Sequence, residues 1–431
     1  MSTILRPGIS NYPAHVKCVL ALVALSLCTS NWRQRCVGQS LHTRDDVIAT
    51  VAALQWTTDG WQYATPADPK VFQPADVVRW GSWSGVQREQ AVWLSDGSWL
   101  CGNLDLLSDK VLVRSDWFDP VEIPLTSLRG ILLNPQPSFR DWQKVSSWMS
   151  AAEGTDDRIL LTSGQKLQGL VSFIERDEEP ASLQLEKNGK SFSWERPEVR
   201  AIVFSPALLG EIPKKTKGQS IAISDGSFLN TRAPEAFKNR FKLVTDGGVN
   251  LVSIDSAQRF SEELRYLRVH NASTQFLSDM PAAQYKYLPK LSSLQWELGI
   301  DEDCLGRPLQ VDGGVVPKGI AMHAPSQVAF RWDKSAARLL GEVGFVVPPA
   351  GGDKRLGAVV CKVLVARSGK LQTVSEFKLH RTGDDRVRTS SLIDFDVTDA
   401  QLIVLVVEEG RFGQLGDHIQ WLDLRLERQG E

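Results

Sequence analysis

The sequence has few of the features that mark membrane, zinc-binding or nucleic-acid-binding proteins. No apolar run reaches the roughly 18 residues that indicate a membrane-spanning helix. Only six cysteines occur in 431 residues, and none forms a Cys-x-x-Cys pair, so no zinc or redox motif is indicated. The 49 basic residues are balanced by 51 acidic ones, which argues against a broad basic surface for nucleic acid. We therefore expect no nucleic-acid partner and no membrane span in the mature chain.

Known catalytic motifs are also missing. There is no His-Glu-x-x-His, no phosphate-binding loop and no Rossmann glycine pattern. The segment 81–85 has the glycine spacing of a nucleophile elbow, but Trp83 stands where the serine should be. Two of the acids among Glu408, Glu409, Asp417 and Asp423 could form the carboxylate pair of a glycoside hydrolase. A non-catalytic protein is the main prediction, and a glycan-processing enzyme stays the weaker alternative.

Residues 1–30 have the pattern of a signal peptide. Arg6 and Lys17 precede an apolar core at 18–28, no acid occurs before that core, and small residues follow it. A positive head, a short apolar core and a small-residue exit are typical of secretory signals. We expect an exported protein, in the periplasm, at the cell surface or secreted. The cleavage site, and whether the protein is soluble or lipid-anchored, stay open.

The segment 31–84 is predicted to be a short helical, tryptophan-rich lead. Asp45 and Asp46 precede the run Val47-Ile48-Ala49-Thr50-Val51, which suggests a helix with acidic residues at its start. Fourteen tryptophans occur against only five tyrosines, and many lie in and just after this segment. Most are expected to fill a core, because Trp93 and Trp99 fall inside strand patterns.

Three similar stretches follow and predict two or three small β repeats. Gly97, Gly164 and Gly226 each lie in a short polar group between apolar runs, which is the signature of a hairpin turn. A leucine follows at the same distance in each copy, and the next place holds Cys101, Gln168 or Asn230, which suggests a solvent-facing position. The predicted repeats span residues 85–150, 151–210 and, more divergent, 211–270.

The repeats also share an ending. Residues 128–135 match residues 199–206, and the third copy is expected to end near 252–254. A turn, a Leu-x-Gly strand and an isoleucine-rich closing strand weakly resemble small Sm-like or SH3-like barrels over 85–265. The alternative is a stack of β modules that serves as a spacer or an interaction surface.

The C-terminal region predicts a β-sandwich. Strand-like apolar runs recur from about residue 328 to 426, separated by turns such as Ser368-Gly369-Lys370. Three motifs occur in order, at 306–309 (Gly-Arg-Pro-Leu), 318–326 (Lys-Gly-Ile-Ala-Met-His-Ala-Pro-Ser) and 416–423 (Gly-Asp-His-Ile-Gln-Trp-Leu-Asp). In these motifs the region 275–428 resembles the NPCBM family of carbohydrate-binding modules. The resemblance implies a galactose-binding-like jelly-roll sandwich and a carbohydrate ligand.

Five residues of these motifs are candidates for sugar binding: His323, Asp417, His418, Trp421 and Asp423. Imidazole and carboxylate groups bond to sugar hydroxyls, and an indole face stacks on ring C–H groups. The opposing interpretation is structural, with Trp421 as a core residue, Asp423 bonded to turn amides or to Arg425, and His323 half-buried.

No cofactor is predicted, although the resemblance leaves room for a structural calcium ion near the start of the sandwich. Asp301, Asp303 and Asp312 are the candidate oxygen ligands there. The sequence as a whole therefore predicts a mainly β, exported, non-catalytic carbohydrate-binding protein. The alternative from another class is a cell-envelope scaffold whose sandwich binds a protein partner or only stabilises the fold.

Overall fold

The structure is a computed structural model, and it describes residues 39–428 apart from several short segments. The predicted signal peptide at 1–30 lies outside the described residues. None of the helices in the described part of the chain is long and apolar enough to cross a bilayer. The internal segments left out are 45–46, 52–53, 58–59, 65–68, 73–75, 84–88, 136–138, 151–153, 177–178, 210–217, 271–272, 289–294, 312–313, 333–337, 347–356, 382–390 and 412–415.

Residues 39–270 form four β modules that share one order of strands. Each begins with two paired strands, continues into a three-stranded meander, and ends with a strand that returns to pair with the first. Module A contains β1 (Gln39–Thr43), β2 (Val47–Val51), β3 (Leu54–Thr57), β4 (Gly60–Ala64), β5 (Pro69–Phe72) and β6 (Val77–Gly81). Module B contains β7 (Ala91–Leu94), β8 (Trp99–Cys101), β9 (Asn103–Leu106), β10 (Lys110–Arg114), β11 (Val121–Pro124) and β12 (Leu128–Leu132).

The other two modules follow after a helix, α1 (Phe139–Ser150). Module C contains β13 (Asp157–Leu161), β14 (Lys166–Arg176), β15 (Glu179–Lys187), β16 (Lys190–Trp194) and β17 (Val199–Val203). Module D contains β18 (Gly218–Ile223), β19 (Phe228–Thr231), β20 (Glu235–Phe237), β21 (Arg240–Val244), β22 (Asn250–Val252), α2 (Ala257–Glu263) and β23 (Leu264–His270). In module C the long β14 serves both as the second strand and as the first strand of the meander.

Module A corrects the prediction for residues 31–84. The segment predicted as a helix contains β2, which pairs antiparallel with β1. Its residues Val47, Ile48, Thr50 and Val51 are β-branched, and such side chains favour strands over helices. The acidic pair before this strand was therefore wrongly interpreted as a helix start, and residues 39–270 contain four modules where two or three were expected.

The ending of the third predicted repeat is also corrected. Residues 252–254 only close the meander, and helix α2 then leads to β23, which pairs with β18 as the true closing strand. In modules B and C a single 3-10 turn, Leu125–Ser127 or Arg196–Glu198, occupies the place of α2. The longer helix in module D hid the equivalence of β23 to β12 and β17.

The four modules join edge to edge into one sheet of fourteen strands, which we call the platform. The closing strands β17 and β12 pair with each other, the second strands β8 and β19 pair, and the closing strands β23 and β6 pair. The modules therefore lie in the order C, B, D, A. The predicted turns are present, since Gly97, Gly164 and Gly226 have φ of 85°, 89° and 99°, a region that favours glycine.

The β8–β19 junction corrects the expectation that Cys101 faces solvent. Cys101 is fully buried, and its N–H donates to Ser227 Oγ at 2.9 Å. The reciprocal contact is also present, since the N–H of Asn230 in module D donates to Ser98 Oγ in module B at 2.9 Å. The Asp-Gly-Ser turns of modules B and D thus supply polar side chains to each other's strands, and this cross-module contact was not visible in the sequence.

The central strands of the platform are buried on both faces, which explains their continuous apolar runs. One face of the strands forms a core shared by all four modules. On the other face of modules B and C, Trp142 and Trp148 of α1 pack against Trp93 and Trp99. Gly130 permits this, because a Cβ there would lie 3.0 Å from the Met149 Cε atom and 2.6 Å from the Ile202 carbonyl oxygen.

The C-terminal region is a β-sandwich, as predicted. One sheet has the order β26-β29-β36-β31-β34, with β24 also paired to β36, and the other has the order β25-β30-β35-β32-β33. The strands of the region, including a short β27–β28 hairpin, are β24 (Thr274–Phe276), β25 (Ala282–Tyr287), β26 (Gly299–Ile300), β27 (Gln310–Val311), β28 (Gly314–Val315), β29 (Gly319–His323), β30 (Ser326–Arg331), β31 (Arg338–Phe345), β32 (Gly357–Arg367), β33 (Lys370–Arg381), β34 (Ser391–Asp396), β35 (Leu402–Glu409) and β36 (His418–Glu427).

The sandwich rests on modules A and D. Where modules B and C present Trp93, Gly130 and Ala201 to helix α1, modules A and D present polar side chains in equivalent positions, His42, Arg79 and Tyr266. All three are buried.

Candidate functional site

Two of the predicted site residues come together at one end of the sandwich. His323 ends β29 and His418 begins β36, and the two residues are direct partners in the antiparallel pairing of these strands. Their ring centroids lie 4.5 Å apart with the planes at 82°. His323 is buried, whereas His418 is half-buried and reaches the surface. The two motifs, which are far apart in the sequence, are therefore in contact in the structure.

Two aromatic residues that the sequence analysis did not select complete the group. The indole of Trp296 stacks on the His323 ring at 4.9 Å with the planes only 9° apart, and it meets His418 edge-on at 4.7 Å. Tyr287 approaches His323 edge-on at 6.0 Å. We call Tyr287, Trp296, His323 and His418 the histidine–tryptophan cluster. Trp296 and Tyr287 are both half-buried, so neither residue is fully enclosed by the protein.

A hydrogen bond fixes the segment that carries the tryptophan. The hydroxyl of Tyr285, on β25, donates to the Trp296 carbonyl oxygen at 2.9 Å. Burial raises the pKa of Tyr285, so the hydroxyl keeps its proton and remains a donor. Tyr285 and Tyr287 are two of only five tyrosines in the chain. Their alternation along one strand was the available signal for this part of the site.

The histidines are uncharged at neutral pH. The pKa of His418 is lowered to about 4, mainly by burial and also by the neighbouring His323. Burial also lowers the pKa of His323. Nδ1 of His323 lies 2.6 Å from the Ala324 carbonyl oxygen, and because a carbonyl can only accept, Nδ1 carries the proton. Nε2 of His323 is then a hydrogen-bond acceptor.

Asp417 lies beside this cluster but points into the sandwich. Its side chain is fully buried; Oδ1 accepts a hydrogen bond from the Ala358 N–H at 3.2 Å, and Oδ2 has no partner among the described residues. Burial, followed by the charge of Glu409, raises the pKa of Asp417 to about 7. The structure therefore places Asp417 behind the site, where it cannot contact a surface ligand directly.

Trp421 and Asp423 do not belong to the site. Trp421 is fully buried in the sandwich core, as the structural interpretation predicted. Asp423 has φ of 48°, and it is the extra residue of a β-bulge between β31 and β36. The bulge turns its carboxylate towards module A, where Arg79 binds it. The sequence-based choice of Asp423 as a sugar ligand is thus corrected.

The two candidate calcium ligands that the structure describes, Asp301 and Asp303, are paired with basic side chains. The Asp301 Oδ2 atom lies 2.5 Å from Lys318 Nζ, and Asp303 Oδ2 accepts from Arg307 Nε at 2.6 Å. Asp312 lies outside the described residues. Among the residues that the structure describes, no group of three or more histidine, cysteine or acidic side chains could hold a metal ion. Asp301 and Asp303 are therefore not the free oxygen ligands that a calcium site requires.

The comparison with known families agrees with the motifs. Residues 273–427 match the NPCBM/NEW2 domain family. The sandwich is an NPCBM/NEW2 domain. No curated protein matches the sequence. The match begins at residue 273, after the last strand of module D ends at His270, so it leaves the platform outside the family domain.

Several solved structures resemble parts of the chain. A CBM51 module of Clostridium perfringens GH95, in complex with methyl-galactose, is 18% identical, with 36% of this chain and 99% of that chain covered and a TM-score of 0.27. The CBM51-2 and INT domains of Clostridium perfringens ZmpB are 19% identical, with 46% of this chain and 40% of that chain covered and a TM-score of 0.29. The tandem CBM51 modules of Streptococcus pneumoniae Sp3GH98 are 11% identical, with 66% of this chain and 91% of that chain covered and a TM-score of 0.25.

Proposed function

We propose that this protein binds carbohydrate at the histidine–tryptophan cluster of its NPCBM/NEW2 domain. The observation that carries the proposal is the position of Trp296, whose ring is stacked on His323 in a residue that is only half-buried. A fixed aromatic face next to hydrogen-bonding groups is suited to a sugar, which offers C–H groups on one side and hydroxyls at its edge.

The electrostatics of the cluster support a neutral ligand edge such as sugar hydroxyls. Because both histidines are uncharged at neutral pH, Nε2 of His323 accepts and His418 can accept or donate. The nearby carboxylate of Asp303 is already paired with Arg307. Leu288, which follows Tyr287, is 49% exposed and adds apolar surface beside the cluster.

The test is binding of the full chain to a panel of glycans and polysaccharides, with and without calcium. The panel includes methyl-galactose, which is bound in the similar CBM51 module of Clostridium perfringens GH95, and GlcNAc, which is bound in a second structure of the CBM51-2 and INT domains of ZmpB. We expect saturable binding that weakens at least about tenfold in Trp296→Ala, since stacking on an aromatic ring is a major part of sugar affinity. Trp194→Ala is the matched control, because Trp194 is also half-buried and stacked, on Phe192 in module C.

The result decides between two classes of function. If Trp296→Ala binds a glycan as tightly as the unaltered chain, the cluster is not the site. If the folded chain binds no glycan, the alternative is the envelope scaffold, and the search moves to protein partners. Binding that requires calcium would support the structural ion, with ligands other than Asp301 and Asp303.

The proposal includes export and the lack of catalysis. The composition of residues 1–30 supports export, which the N-terminal sequence of the mature protein would test. Three of the four acids considered for hydrolysis are engaged elsewhere or enclosed: Asp423 binds Arg79, Glu408 lies 2.7 Å from Lys362 Nζ, and Asp417 is buried. Release of reducing sugar from any glycan that binds would contradict this part of the proposal.

A further inference from the structure

A buried group of charged side chains joins the platform to the sandwich. His42 on β1 and Arg79 on β6 come from module A, whereas Glu342 on β31 and Asp423 and Arg425 on β36 come from the sandwich. All five are buried, with exposures of 0%, 1%, 8%, 1% and 0% respectively. We call these five residues the interdomain charge cluster. Its members are separated by up to 383 positions in sequence, so nothing local holds them together.

Arg79 is the centre of the cluster. Its Nε donates to the Asp423 carboxylate, Nη1 donates to the Gly81 carbonyl oxygen at 2.6 Å, and Nη2 lies 2.6 Å from His42 Nε2. That same His42 nitrogen lies 3.1 Å from Glu342 Oε1. Burial alone would raise the pKa of Asp423, but the charges of Arg79 and its neighbours hold it below its usual value. The carboxylate therefore stays charged and paired.

Further contacts join the platform to the sandwich around the cluster. Arg425 Nη2 donates to the Thr43 carbonyl oxygen of module A at 2.8 Å, and its Nε donates to Glu427 at 3.1 Å. Arg44 of module A reaches the Arg428 carbonyl oxygen at 3.1 Å. Trp83 and Val315 also form an isolated β-bridge between the two parts.

We propose that the platform and the sandwich form one cooperative folding unit, locked together by the interdomain charge cluster. A buried ion pair contributes little net free energy, but the loss of one partner leaves an uncompensated buried charge. Such a group tolerates one arrangement of the two parts and opposes all others. The sandwich then keeps a fixed direction relative to the platform, whatever ligand it binds. The proposal does not depend on the carbohydrate function.

The test cuts the full chain after it has folded. A specific protease recognition sequence is inserted between Asn271 and Ala272, where the chain passes from module D to the sandwich. After cleavage, we expect the two fragments to elute together from a sizing column at micromolar concentration. In Asp423→Asn, which leaves Arg79 buried without its carboxylate, we expect the fragments to separate.

A matched control removes the same charge from the same domain. Asp394 forms an ion pair with Arg338 that is largely exposed, and exposed pairs contribute little, so Asp394→Asn fragments should remain together. Calorimetry of the uncut chain gives a second measurement: one unfolding transition for the unaltered chain, and two transitions, or a midpoint lower by about 5 °C or more, for Asp423→Asn.

Three outcomes would overturn the proposal. The first is separation of the unaltered fragments, and the second is two unfolding transitions in the unaltered chain. The third is an Asp423→Asn protein that behaves like Asp394→Asn in both measurements. If Asp423→Asn does not fold, Glu342→Gln replaces it, because it keeps the size of the side chain but removes its charge beside His42. We expect that change to raise the dissociation constant of the cut fragments about tenfold, and an unchanged constant would refute the lock.

Discussion

Replacing Asp417 by asparagine should change how the stability of this protein depends on pH. The fully buried carboxyl group has its pKa raised from 3.8 to about 7 by burial. Below pH 3.8 the group is protonated in both the folded and the unfolded chain. Between pH 3.8 and 7 the unfolded chain loses this proton while the folded chain keeps it, so the folded state becomes less stable as the pH rises. Above pH 7 the effect is constant.

The size of the effect follows from the shift of the pKa. A difference of about three pKa units corresponds to about 4 kcal/mol in total, and about 2.5 kcal/mol of that falls between pH 5 and pH 8. Asparagine does not titrate, and its side-chain oxygen can still accept from the Ala358 N–H. The free energy of unfolding of the unaltered chain, relative to Asp417→Asn, should therefore fall by about 2.5 kcal/mol from pH 5 to pH 8.

Urea denaturation at several pH values measures this difference directly. The comparison between the two proteins cancels other titrations, such as those of His323 and His418, whose lowered pKa values act in the opposite direction. Asp394→Asn, at an exposed site, serves as the control for the loss of one carboxylate. Parallel pH profiles for Asp417→Asn and the unaltered chain would show that Asp417 is ionised in the fold, and the argument from burial would then be wrong.

Three further substitutions test other parts of the structure. Gly226→Ala places a side chain at φ of 99° and should cost about 1 kcal/mol or more; an unchanged melting temperature would contradict the turn. Tyr285→Phe removes the hydrogen bond to the Trp296 carbonyl oxygen and should weaken glycan binding several-fold while the melting temperature changes little, as titration and melting would reveal. Trp142→Ala removes a buried ring that packs edge-on against Trp99 at 5.3 Å. Urea denaturation should show that the free energy of unfolding falls by about 3–5 kcal/mol. A fall below about 1 kcal/mol would contradict the packing of helix α1 on modules B and C.

The candidate site was only partly predictable. His323 and His418 could be selected because they lie in two recognisable motifs, and the pairing of β29 with β36 brings those motifs together. Trp296 could not, because it reaches the histidines from a separate segment that Tyr285 holds in place. Fourteen tryptophans occur in the chain, and nothing in the local sequence distinguishes this one from those that fill the core.

At Asp423 a single β-bulge changes which face of the strand each following residue occupies, so strict alternation gives the wrong prediction there. Strict alternation along the last strand puts Leu424 and Leu426 on the face opposite to Trp421. In the structure all three belong to the sandwich core, because the extra residue at Asp423 shifts the pattern by one position. The same shift directs the Asp423 carboxylate to Arg79, more than 300 residues earlier in the chain.

Local pattern determined the elements that need only local information. The turns at Gly97, Gly164 and Gly226 and the strands around them follow from a residue type that accepts positive φ between apolar runs. The sandwich followed from spaced strands and ordered motifs. Only the tertiary structure decided the fourth module, the edge-to-edge platform, and the interface between platform and sandwich. These depend on which strand edges meet and on charges such as Arg79 and Asp423 that become partners only after folding, and no short stretch of sequence contains both sides of such a contact.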